Sequence, residues 1–187
     1  MKKFGIGYLV PESASQYQLN LRQKIQTRFN LTGSSKLKSP SHITLKYPFQ
    51  AEETQAVEQL LQRFSATQPQ TKWAIRGFNY FQNGETYVIY MDVIASLAAR
   101  KAHEQLLEAL HQIEWMEWGE FDTADMHYHV TVAQKGLTKH NFDTVWAFVN
   151  RQTWPNFDLH FDNVALVQLQ EGVGTIIGQY WLSKDKG

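Results

Sequence analysis

Two segments of this chain repeat one short pattern: His-Ile-Thr-Leu at 42–45 and His-Val-Thr-Val at 129–132. In each, a polar residue alternates with an aliphatic one, the period of a half-buried strand. Residues i and i+2 of a strand face the same way. His42 and Thr44 therefore share one face, with Ile43 and Leu45 on the other. His129 and Thr131 stand in the same relation to Val130 and Val132. Any fold for this chain has to bury two aliphatic strand faces and present two imidazole–hydroxyl faces.

The surroundings of the motif also recur. Phe4, Ile6, Tyr8 and Val10 alternate and predict a first strand, with Gly5 and Gly7 on its other face, where another group can approach the backbone closely. Tyr17, Leu21, Ile25 and Phe29 predict a helix over 14–30 that Gly33 could end. After the first motif, a stripe of Ala56, Val57, Leu60, Leu61 and Phe64 predicts a helix over 52–65. Strands over 71–81 and 86–94 follow, joined by Asn83-Gly84, a strong hairpin signal. The order then repeats: a helix over 97–113, the second motif strand, a helix over 139–151, and two strands, "FDLHFDNVALVQL" and "TIIGQYWL", joined by a turn at Glu171-Gly172. Each half reads strand, helix, motif strand, helix, strand, turn, strand. An internal duplication accounts for this, and the halves, approximately 1–85 and 86–187, are expected to be two lobes of a single domain spanning 1–187.

Composition narrows the function. The 18 Lys+Arg balance 18 Asp+Glu, which argues against a long-duplex nucleic-acid binder working by phosphate neutralisation. A small nucleotide or an RNA end in a local cleft stays open. The absence of cysteine rules out disulfides and thiolate metal sites. The N-terminus lacks a signal-peptide core, and no apolar stretch reaches the length of a membrane span. A monomer in the cytoplasm, with no membrane partner, is expected.

If the lobes face one another, the two motifs converge on one cleft. Two histidines on opposite sides of a phosphorus can divide the proton transfers. Neutral imidazole takes a proton from an attacking water, and imidazolium gives one to the departing oxygen. Two threonine hydroxyls can donate to non-bridging phosphate oxygens, where charge grows. Neither step calls for a metal or other cofactor. One His-x-Thr alone reads as an ordinary strand histidine; two at matching places in a repeat turn the reading towards catalysis.

Paired motifs of this kind, with Pro40 ahead of the first, resemble those of the 2H phosphoesterase superfamily, and within it the 2′-5′ RNA ligase and RNA 2′,3′-cyclic phosphodiesterase group. The resemblance implies a bilobal α+β fold whose pseudo-symmetric halves each carry an antiparallel sheet with flanking helices, and an active-site cleft between them. It implies hydrolysis or ligation of cyclic or 2′-linked phosphoesters. By position, it assigns His42 and His129 as the acid–base pair and Thr44 and Thr131 as substrate-binding residues.

Lys46 continues the His42–Thr44 face and is a further candidate for substrate phosphate; the alternative is a solvated edge charge. Tyr47, Tyr128 and Trp181 are candidates for stacking on a base. Asp125, His127 and His129 alternate in sequence and could ligate a metal, which would make a metal-dependent hydrolase. A non-catalytic binder of nucleotides or RNA ends is the other alternative. His103, His111, His140 and His160 read as surface residues. The tryptophan-rich segment 114–121 reads as a loop over the cleft or as a satellite of the core.

Overall fold

The computed structural model describes residues 1–31 and 39–184. Among the described residues, eight strands and four helices follow one another as β1 (Lys2–Leu9), α1 (Glu12–Phe29), β2 (His42–Ala51), α2 (Gln55–Thr67), β3 (Thr71–Asn83), β4 (Thr86–Ala95), α3 (Leu97–Leu110), β5 (His129–Ala133), α4 (Phe142–Val149), β6 (Asn156–Phe161), β7 (Asn163–Gln170) and β8 (Val173–Trp181). The strands form two four-stranded sheets, ordered β2-β1-β7-β8 and β5-β4-β3-β6, in which the neighbouring strands are antiparallel. The fold is α+β with two pseudo-symmetric sheets, and the motif strands β2 and β5 hold the same edge position in each.

Local chemistry sets the elements. The alternating residues of β1 bury Phe4, Ile6 and Tyr8 as the sequence predicts. Gly84, at φ +61°, turns β3 into β4. Ser96 caps α3 by accepting from the Ala99 N–H at 3.1 Å. Helix α1 ends at Asn30, which takes the left-handed conformation at φ +51°; Gly33, the expected stop, lies outside the described residues.

The last strands depart from the sequence reading. "FDLHFDNVALVQL" is two strands, broken at Asp162. β6 pairs with β3 in one sheet, and β7 pairs with β1 in the other. The sheets are consequently not the sequence halves 1–85 and 86–187. β3 comes from the first half but lies beside β4, while the β7–β8 hairpin from the second half completes the sheet of β1. Alternation along each strand was legible, but the sheet that a strand joins is a long-range choice that alternation does not encode. Aromatic packing ties the sheets together: Tyr8 of β1 meets Trp73 and Phe161 of the other sheet, with ring centroids 5.9 and 5.4 Å away.

The duplication extends to an irregularity. Pairing between β1 and β2 steps from Gly7↔Thr44 to Ile6↔Lys46, leaving Leu45 as an extra residue. Pairing between β4 and β5 steps from Tyr90↔Thr131 to Ile89↔Ala133, leaving Val132 extra. Both bulges fall directly after the threonine. Each turns the following residue away from the face that carries the histidine, so the burial sequence over 42–46 matches that over 129–133.

Candidate active site

His42, Thr44, His129 and Thr131 line one cavity of about 720 Å³. The structure thus brings together the four motif residues that the sequence singles out. β2 and β5 pack near one another across the cleft, with Ile43 and Leu45 buried behind it and the buried Val130 and Val132 bordering the cavity on the β5 side.

The two imidazoles are held in the same way. His42 Nδ1 lies 2.7 Å from the Pro40 carbonyl oxygen, and His129 Nδ1 lies 3.0 Å from that of His127. A carbonyl only accepts, so each Nδ1 carries a hydrogen and donates it. In the neutral ring the lone pair is then on Nε2, the nitrogen left for chemistry. The repeat therefore preserves tautomer as well as position. Burial pushes both imidazoles below their ordinary pKa, against a smaller upward effect of these carbonyl bonds. Arg22 also lowers His42; His127 and His42 lower His129, while Asp92 opposes them.

The packing around the pair is not symmetric. His42 lies against Gly7, the close approach that the glycines of β1 allow. His129 is flanked by Phe81 and Tyr90, each with its ring centroid 5.1 Å away; burial raises the Tyr90 phenol to about 12.

Two residues of α1 complete the cleft. Arg22 lines the cavity and is the one lysine or arginine among the described residues that does so. Gln18 is buried; its amide donates to the Thr131 carbonyl at 2.5 Å and accepts from the Ser41 hydroxyl at 2.7 Å, tying the residue before His42 to the opposite motif. Sequence reasoning missed both. The available signal was their four-residue spacing one position beyond Tyr17 and Leu21, which puts two polar side chains beside the apolar stripe.

Lys46 is not in the cleft, nor is it a solvated edge charge. Its side chain is 1% exposed and pairs with Asp122 at 2.8 Å. The bulge at Leu45 is the reason: Lys46 occupies the position of Ala133 in the other motif, and the cleft face passes to Tyr47. Of the other stacking candidates, Tyr128 is buried against His103, and Trp181 borders a separate, smaller groove. Asp125, His127 and His129 all line the main cavity, but His127 Nε2 is engaged with Asp92 at 2.8 Å, and the described residues gather no cluster of three or more metal-ligating side chains. His103 is not a surface residue: it is fully buried, with Nε2 donating to the Leu45 carbonyl at 2.6 Å and Nδ1 2.8 Å from the Tyr128 hydroxyl.

Residues 12–173 match the model of the 2′-5′ RNA ligase superfamily. The chain belongs to this superfamily. A Geobacillus kaustophilus protein whose own assignment as a phosphoesterase is provisional is 29% identical over 110 residues, covering 58% of this chain and 59% of that protein. The match thus spans about three-fifths of that relative's length. Among solved structures, TT0787 of Thermus thermophilus superposes with a TM-score of 0.56 at 17% identity, covering 98% of this chain and 99% of that one. Apo LigT of E. coli gives 0.57 at 13% identity, with 97% and 98% covered. LigT has also been crystallised with 3′-AMP; that structure gives 0.54 at 12% identity, with 97% and 98% covered. At these identities the likeness is one of fold. No helix among the described residues is long and apolar enough to cross a membrane.

Proposed function

We propose that this protein is a metal-independent phosphodiesterase that opens a nucleoside 2′,3′-cyclic phosphate, or a related cyclic or 2′-linked phosphoester of a nucleotide or RNA end. The observation that carries the reading is the matched pair of imidazoles, each with Nδ1–H bonded to a carbonyl two residues upstream and Nε2 left for the cleft.

In the reaction, a water oxygen bonds to phosphorus and one ring P–O bond breaks. Nε2 of one histidine takes the water proton. The other histidine, protonated at Nε2, gives that proton to the departing ribose oxygen. The products are a phosphomonoester and a free hydroxyl, and proton exchange with solvent resets the pair. Thr44 and Thr131 donate to the non-bridging oxygens, and the Arg22 guanidinium balances the phosphate charge.

The test is turnover of nucleoside 2′,3′-cyclic phosphates in chelator. Wild type is expected to give product; His42→Ala and His129→Ala are each expected to lose at least about 10³-fold in kcat with the fold retained. Product from both variants at wild-type rate would sink the two-histidine mechanism. Tight nucleotide binding without turnover by wild type would favour a non-catalytic binder.

A further inference from the structure

Between α3 and β5, residues 111–128 contain no helix or strand, and part of this segment runs along the open edge of β2. Two of its carboxylates occupy that edge in place of a neighbouring strand. Glu117 accepts from the Gln50 N–H at 2.9 Å, and Asp122 accepts from the Tyr47 N–H at 2.8 Å. The second oxygen of Asp122 accepts from Lys46 Nζ and from the Gly119 N–H, both at 2.8 Å. The Lys46 and Asp122 side chains are each 1% exposed, and the ammonium lies 5.0 Å from the centre of the Trp118 ring.

A buried ion pair seldom stabilises a fold more than apolar side chains of the same volume would, because desolvation offsets the attraction. What this one does is fix a position. Asp122 binds the backbone of Tyr47 on one side and follows Phe121 on the other. Those two rings lie 5.7 Å apart, and both line the cavity that holds His42 and His129. Phe121 is 59% exposed, a large apolar ring kept at a cavity wall by a pair buried behind it.

We infer that Asp122, together with Lys46, is a positioning residue that holds Tyr47 and Phe121 as a wall for the flat organic part of the substrate, a nucleobase. This rests on the phosphoester reading above. The pair touches no reacting atom; it sets which organic group the cleft accepts.

Calorimetric titration with adenosine 3′-monophosphate and with inorganic phosphate tests the inference, using wild type, the Lys46→Met/Asp122→Leu double variant and Phe121→Ala. Wild type is expected to bind the nucleotide at least about ten-fold more tightly than phosphate. Both variants are expected to weaken nucleotide binding by about ten-fold and leave phosphate binding unchanged. A purely structural role would weaken both ligands together. The inference is overturned by equal loss for both ligands, by unchanged nucleotide binding in the variants, or by a wild type that does not prefer the nucleotide. If the double variant does not fold, Phe121→Ala decides, since its ring is largely exposed. The outcome is separable from that of the proposed function. Turnover of a cyclic phosphate without nucleotide preference removes the wall and leaves the enzyme; preference without turnover does the reverse.

Discussion

Gly7 on β1 leaves the space in which the His42 ring lies. A β-carbon at Gly7 would be 3.3 Å from His42 Cδ2 and 3.1 Å from the Ile43 carbonyl oxygen. The backbone neighbour cannot yield easily, so the ring has to. Gly7→Ala is expected to keep the fold and to lower kcat for cyclic phosphate hydrolysis by about ten-fold with little change in KM, because a small misplacement of an acid–base group acts on the transition state. Steady-state kinetics of this variant, beside a circular dichroism spectrum, checks the expectation; an unchanged kcat would mean that the position of the His42 ring is not critical.

The pH dependence follows from the electrostatics of the pair. Burial holds both imidazoles below the ordinary value of about 6.5, and a charge on His42 further disfavours a charge on His129. As pH falls the pair takes one proton and resists the second, so the singly protonated state that the mechanism requires occupies the interval between two lowered values. The kcat/KM profile of the wild type is expected to be a bell with its maximum below pH 6.5. A plateau extending above pH 8 would contradict the pairing.

Arg22 lowers the His42 pKa and lines the same cavity. Arg22→Met is expected to act twice. KM should rise by about ten-fold through loss of the charge facing phosphate, and the limb of the bell governed by His42 should move to higher pH. Loss of activity with an unmoved profile would place Arg22 outside the electrostatic reach of His42.

His103 has a stability signature. Burial is the largest influence on it and holds its pKa below the ordinary 6.5. On acidification the unfolded chain takes up this proton before the folded one does. The contribution of His103 to stability is therefore complete above about pH 6.5 and is lost as pH falls from there towards the lowered folded value. His103→Gln, which keeps a neutral donor and acceptor, is expected to lose less stability than wild type between pH 7 and pH 5. Urea midpoints at the two pH values measure this. The difference is partial, since His42 and His129 act in the same direction, and an identical loss in both proteins would refute the assignment.

The sequence by itself determined the repeat, the two motif strands and their inward aliphatics. A face shared by residues i and i+2 is a property of extended backbone, independent of what surrounds it. That was enough to single out His42, Thr44, His129 and Thr131, which meet in one cavity. Only the tertiary structure decided the rest. The bulge at Leu45 turned Lys46 from the cleft to a buried partner, and alternation carries no mark of an extra residue. The break at Asp162 sent β6 and β7 to different sheets. His103 joined the core because Leu45 and Tyr128, far from it in sequence, supplied both of its hydrogen bonds. Gln18 and Arg22 became cleft residues because α1 packs against β5. Each of these outcomes depends on a partner distant along the chain, and local periodicity records only which side of an element is apolar, not which distant group satisfies a polar one.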